Sequence, residues 1–303
     1  MKIKTSFTEA TGIAYPIIGA PMFLVSYERY VIALAEAGAM GTFALPNYRT
    51  VAELKQALRT IRQATSQPIG VNIHLSGRFP WQEQLAVCLE AGVSFFISSL
   101  GNPALILPDV HANGGVVYAD VVRLDQAIKA RDRGVDGLIA VGAGAGGHCG
   151  NISTLVLTPY LVEKTGLPVI AAGGISTGQQ MAAALAVGAC AVIVGTRLIA
   201  TEEAGASPAY KQAVVQAGPD EITITAAITG HQASWLSGSI ASFQEQPALD
   251  SKKWLDLWSA GQSVAQTSSI LPIRAVIEEM VAGYQQACQR LDQTLGRRKQ
   301  VDL

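Results

Sequence analysis

The chain has 303 residues, 49% hydrophobic and 15% charged, and its 22 basic and 23 acidic side chains form no long run of either sign. Such a composition fills a large core and carries no electrostatic footprint for nucleic acid or an anionic membrane, so the expected partners are small molecules. Cys88, Cys149, Cys190 and Cys288 are too scattered for a disulfide framework and make no CxxC zinc pair, residues 1–14 lack an apolar signal core, and no stretch offers about 18 uninterrupted apolar residues, so a cytoplasmic, reduced setting is expected.

Along the chain, apolar runs of strand length alternate with segments of helical period. A first strand at 17–21 is followed by a helix at 27–37, a strand at 40–44 by a helix at 51–64, and a strand at 69–74 by a helix at 81–91. Strands at 95–99 and 116–119 precede a helix at 124–133; strands at 137–141, 169–172 and 191–195 alternate with helices at 159–165 and 178–187. Gly38, Gly92, Gly134, Gly166 and Gly188 stand where helix C-termini favour glycine. Strands that read as continuous apolar runs are buried on both faces, as in a parallel sheet covered by helices, and eight such units predict a closed (β/α)₈ barrel over 1–200. An open doubly wound sheet is the rival, but no GxGxxG stands at the first strand-to-helix turn with an acidic residue about 20 positions on. Residues 201–261 are more polar, with Trp235, Trp254 and Trp258, and are read as a helical insertion or lid over the barrel mouth; 262–303 returns as a C-terminal segment with an amphipathic helix over 273–295.

In such a barrel the residues just past each strand carry the chemistry. Gly173 and Gly174 follow the seventh strand and Gly195 and Thr196 the eighth, the positions at which backbone N–H groups hold a phosphate. Ala20, Pro21 and Met22 end the first strand with small or flexible side chains that let a flat ring approach the backbone. Asn72 interrupts the apolar third strand and needs hydrogen-bond partners, either a cofactor ring or a neighbouring loop. His148 sits in the glycine-rich loop Ala145-Gly146-Gly147-His148, where an imidazole can act as acid or base near neutral pH. His74, at the end of the third strand, is a candidate substrate contact. His111 and His231 lack a motif and are expected at the surface or on the lid, and Cys149 is an unneeded nucleophile beside His148.

Taken together, Gly19-Ala20-Pro21-Met22, Gly70-Val71-Asn72, Ala145-Gly146-Gly147-His148-Cys149-Gly150, Ala171-Ala172-Gly173-Gly174-Ile175 and Val194-Gly195-Thr196-Arg197 resemble the nitronate monooxygenase family. The same loop and barrel are similar to FMN-type enoyl-ACP reductases. The resemblance implies a TIM barrel binding FMN non-covalently, its phosphate at Gly173, Gly174, Gly195 and Thr196. It also implies Ala20, Met22 and Asn72 on the isoalloxazine, Pro21 and Ala145 to Gly147 beside the cofactor, and His148 on the substrate side. One departure is Asp120, which stands where family members often carry a lysine and would raise the energy of a reduced, anionic flavin. The expected activity is oxidation of alkyl nitronates with O₂. NAD(P)H-dependent reduction of enoyl thioesters, activated alkenes or quinones is the alternative, and a non-catalytic flavin-binding protein or a phosphosugar-binding barrel are further ones. A homo-oligomer fits this composition as well as a monomer.

Overall fold

Described in the computed structural model are residues 2–75, 80–245 and 257–294. Among them, eight parallel strands make one sheet: β1 (Ile17–Gly19), β2 (Gly41–Ala44), β3 (Ile69–His74), β4 (Phe95–Ser99), β5 (Val116–Val121), β6 (Gly137–Val141), β8 (Val169–Ala172) and β9 (Ala191–Val194). Their order, β1-β9-β8-β6-β5-β4-β3-β2, is sequential around a ring. The two ends meet at Met40, which bridges Ile18 in parallel fashion, gives its N–H to Ile17 O at 2.9 Å and accepts from Gly19 N at 2.9 Å. The sheet therefore closes into the (β/α)₈ barrel, and the open-sheet alternative falls.

Period-two alternation explains how each strand is buried on both sides. Ile18, Met40, Phe95, Ile97, Tyr118, Ile139, Ile170 and Ile193 form a cluster inside the barrel, while the intervening Val71, Phe96, Val117 and Val192 join the apolar faces of the surrounding helices. The helices follow their sequence signals. Val51–Ala64 begins in a Thr50/Glu53 capping box, and Gly178–Ala186 in one formed by Thr177 and Gln180. The five C-terminal glycines all take positive φ, from 68° to 102°. The helix expected over 159–165 begins earlier, at Thr154–Thr165, and holds Pro159 inside its run. Helices at Ser6–Thr11 and Leu107–Ala112 carry too few residues to show a period and were not expected from the sequence.

Ser6–Thr11 closes the end of the barrel away from the strand C-termini. Its Phe7 packs edge-on against Phe95, at 5.4 Å between centroids, and Tyr118, at 6.0 Å. The final helix, Ile273–Thr294, lies against Gly178–Ala186, and its backbone at Met280 and Tyr284 fills the place a side chain on Gly178 would need. Glu203 accepts from Ile273 N at 2.9 Å and caps that helix.

The segment expected as a helical insertion also supplies strands. After the helix Pro208–Gln216, β10 (Ile222–Thr225) and β11 (Ala233–Leu236) form an antiparallel hairpin, and β11 pairs with β7 (Gly147–His148) from the glycine-rich loop. No described helix is long and apolar enough to cross a membrane. All four cysteines are unpaired.

Candidate active site at the C-terminal mouth of the barrel

The strands are buried along their lengths and open to solvent at their C-terminal ends. Ile17 to Gly19 are buried and Ala20, Pro21 and Met22 half-buried; Ala191 to Val194 are buried and Gly195 half-buried; Ala172 is buried, Gly173 and Gly174 half-buried. These small residues and one thioether share one side of the mouth: a methyl on Gly195 would meet only Ala20 Cβ at 3.4 Å and Met22 Sδ at 3.9 Å. The turn after β1 is held by Asn47, which accepts from Leu24 N at 2.8 Å and donates to Ser26 O at 2.7 Å. Leu24 takes φ 60° there.

On the opposite side stands a polar chain drawn from three adjacent strands. Asn72 on β3 donates through Nδ2 to Ile97 O at 3.1 Å and to Ser99 Oγ on β4 at 2.7 Å. The Ser99 hydroxyl in turn donates to Asp120 Oδ2 on β5. Alternation places Asn72, Ser99 and Asp120 on the interior face, above Gly70, Ile97 and Tyr118. Asp120 is exposed at the open mouth, the one exposed position of β5. The protein crowded around it pushes its carboxyl up to about 6, against the lowering effect of the Ser99 hydrogen bond. The sequence expectation for Asn72 offered a ring or a structural partner, and the structure supplies the latter for its amide N–H groups. Ser99 escaped notice because a serine at a strand end has no pattern of its own. His74 pairs in register with Ser99, half-buried at the end of β3, on the same face as Asn72.

The loop after β6 arches over the β8 and β9 ends. Gly144 O accepts from Gly174 N at 3.1 Å and from Gln262 N at 3.2 Å. Gly261, in turn, lies so close to Gly144 O and Gly146 N that neither Gly261 nor Gly146 can carry a side chain without a shift, and Gly144 is crowded in the same way by Gly174. Gly261 N donates to Thr196 Oγ1 at 2.9 Å, which leaves that hydroxyl a proton to donate. Several glycines thus serve loop-on-loop contact, and the N–H expected on a phosphate at Gly174 is shared with Gly144. The clearest anion donors are the N–H groups of Thr196 and Arg197. Leu198 N already bonds Gly195 O at 2.8 Å, so the first N–H groups of Thr196–Ile199 lie ahead of the helix's own ladder. The Arg197 side chain turns away, to Ala200 O at 3.2 Å and Ser269 O at 3.0 Å.

His148 is carried on β7, opposite Ala233 of the hairpin. It is open to solvent and faces His231 with ring centroids 5.8 Å apart. Crowding by protein, and secondarily the charge of His231, hold its pKa below the ordinary imidazole value. Cys149 is buried, its Sγ 3.2 Å from Ser234 Oγ, and burial pushes its thiol up, so it is poorly placed as a nucleophile. His111 lies outside the site, exposed and 3.0 Å from Asp136. Trp235 is fully buried under the hairpin and Trp258 stacks on Tyr210 at 5.4 Å, so both support the hairpin; Trp254 lies outside the described residues.

The donor set fits a flavin mononucleotide: small surfaces for a ring, an amide and hydroxyl beside them, and N–H groups for a phosphate. A sequence model of nitronate monooxygenase matches residues 4–80 and 74–252. The chain is similar to a (3aS,4S,5R,7aS)-5-hydroxy-7a-methyl-1-oxo-octahydro-1H-indene-4-carboxyl-CoA dehydrogenase of Mycobacterium tuberculosis, 32% identical over 76% of this chain, and it spans 65% of that protein's length. It is 31% identical to a nitronate monooxygenase of Pseudomonas aeruginosa over 76% of this chain and 79% of that one. Among solved structures, FabK from Thermotoga maritima superposes with a TM-score of 0.86 at 29% identity, covering 97% of this chain and 100% of that chain.

Proposed function

The chain belongs to the nitronate monooxygenase family, and from that premise we propose that it is an FMN-dependent oxidoreductase acting on alkyl nitronates with O₂. The observation that carries this reading is the meeting, at one barrel mouth, of a small-residue surface at Ala20, Met22 and Gly195, helix N–H groups at Thr196 and Arg197, and the imidazole of His148. Thr196 and the N–H groups beside it would hold the phosphate, Asn72 and Met22 the ring. Bound FMN would supply the two-electron acceptor. The protein's part is to hold the substrate against it and to manage the proton. His148, kept neutral by crowding, takes a proton from the α-carbon of a neutral nitroalkane, or donates a hydrogen bond to an anionic nitronate oxygen. Free cysteines fit a cytoplasmic enzyme.

A second reading has its own observation. Phe23, Leu100 and Leu105 are exposed apolar side chains on the loops that follow β1 and β4, and such a rim suits an acyl chain. It favours a thioester substrate, with NAD(P)H as electron donor. The two part in one experiment: purified protein is mixed anaerobically, in separate cuvettes, with propyl-2-nitronate, with NADPH and with an acyl-CoA, and flavin absorbance is followed. Bleaching by nitronate alone supports the first reading. Bleaching by NADPH or acyl-CoA, with nitronate inert, moves the assignment to thioester chemistry, and a protein without flavin absorbance ends both.

A further inference from the structure

Of the polar groups at the mouth, the one that His148 chemistry does not use is the Asn72, Ser99, Asp120 chain. It is built rather than incidental. Three neighbouring strands each contribute one interior side chain, and the hydrogen bonds run in one direction, amide to hydroxyl to carboxylate. Ser99 spends its one proton on Asp120, and its lone pair takes the amide. This fixes Asp120 Oδ2 as the acceptor end of the chain and leaves Oδ1 to face whatever fills the mouth.

We propose that Asp120 is a second proton-accepting group of the site, distinct from the substrate base His148, taking up one proton from solvent whenever negative charge enters the mouth, with Ser99 and Asn72 as its positioning residues. The inference rests on the flavin reading above. A bound flavin that accepted two electrons with one proton would carry one negative charge. The Asp120 carboxylate at the same mouth would be a second, and protonation of Asp120 would remove it. No covalent bond of the protein forms or breaks, and the sum is two electrons and two protons in.

The surroundings support the assignment. β4 and β6, the strands beside Asp120, bring no titratable group but the Ser99 hydroxyl. Below it on β5, Tyr118 is held neutral by burial. On the helices packed against β5, Arg123 is spent on Asp125 at 2.6 Å and His111 on Asp136 at 3.0 Å. Lys129, Arg131 and Asp132 lie on the outer helix Leu124–Asp132, and Asp109 on Leu107–Ala112. His74 stands on the same side, on β3 in register with Ser99, and His148 is on β7, its pKa lowered by crowding and by His231. Among the described residues no cation offsets the charge of Asp120; crowding by protein and the Ser99 hydrogen bond are what act on its carboxyl.

The test is the midpoint potential of the FMN-loaded protein as a function of pH, read by spectroelectrochemistry. Each proton taken up with two electrons contributes about 30 mV per pH unit. Wild type is expected to fall by about 59 mV per pH unit above the point where oxidised Asp120 ionises, and Asp120→Asn by about 30 mV per pH unit throughout. Ser99→Ala keeps the carboxylate but loses the hydrogen bond that favours its charged form, so the pH at which the slope steepens rises. A wild-type slope of one proton in that range, an unchanged slope in Asp120→Asn, or an unmoved break in Ser99→Ala overturns the assignment. A protein that takes up no FMN gives no couple to titrate, and that result sinks the flavin reading itself.

Discussion

His148 and His231 are 5.8 Å apart, close enough for the protonation of one to oppose that of the other. Because crowding and the His231 charge both act against the imidazolium, the neutral base persists to lower pH than in a free histidine, whose value is near 6.5. The acid limb of kcat/KM for a neutral nitroalkane is therefore expected below that value. His231→Ala removes the smaller of the two causes and should move the limb partway up, without changing the plateau. His148→Ala should leave flavin absorbance intact and lower the plateau by about 10²-fold or more; an unchanged plateau would remove the side chain from proton transfer. The two substitutions separate the residue that handles the proton from the one that tunes it. His148 stood out in the sequence through its glycine-rich loop, whereas the role of His231 did not, because 83 positions separate the pair and only strand pairing brings them together.

At the scale of elements, what places His148 is β7, and what holds β7 is a hairpin from the far end of the chain. The barrel strands and most of their helices were legible because apolar runs of strand length recur eight times, with six segments of helical period between them, five closed by a glycine. The hairpin was not. Ile222 to Thr225 alternates over only four residues, Ala233 to Leu236 is as short and is interrupted by Ser234, and a polar setting masks both. The glycines of the loop, read as room for a cofactor, also prove to be room for one another: Gly144, Gly146 and Gly261 pack backbone on backbone. Gly261→Ala places a methyl against Gly144 O and Gly146 N, and one of the segments must move. Overpacking of this kind costs about 1–3 kcal/mol. The expected result is a thermal midpoint a few degrees lower and weaker FMN retention, since Gly261 N also holds Thr196 Oγ1. A variant with lowered stability but unchanged FMN affinity would show that the loop carries no part of the cofactor site.

For the molecule as a whole, the barrel divides into an end that is filled and an end that is used. At the filled end, Phe7 meets Phe95 and Tyr118 edge-on and lies 2% exposed, sealed by a short helix with its own capping box at Thr5 and Thr8. At the used end, Asn72, Ser99 and Asp120 stand on the same interior face, above Ile97 and Tyr118. The interior is a stack of side chains rather than a channel, so the lower layer should set stability while the upper layer sets chemistry. Phe7→Ala tests that division. Loss of a buried aromatic ring costs about 3–5 kcal/mol. It should lower the thermal midpoint more than any substitution at the mouth, while FMN affinity and kcat measured below the transition remain those of wild type. If kcat falls with stability, the layers are coupled, and the position of Asp120 depends on packing transmitted through Tyr118 on the same strand. A comparison of Phe7→Ala with Asp120→Asn, by thermal unfolding and FMN titration side by side, reads both outcomes, because the second is expected to spare the fold and alter only what the mouth does.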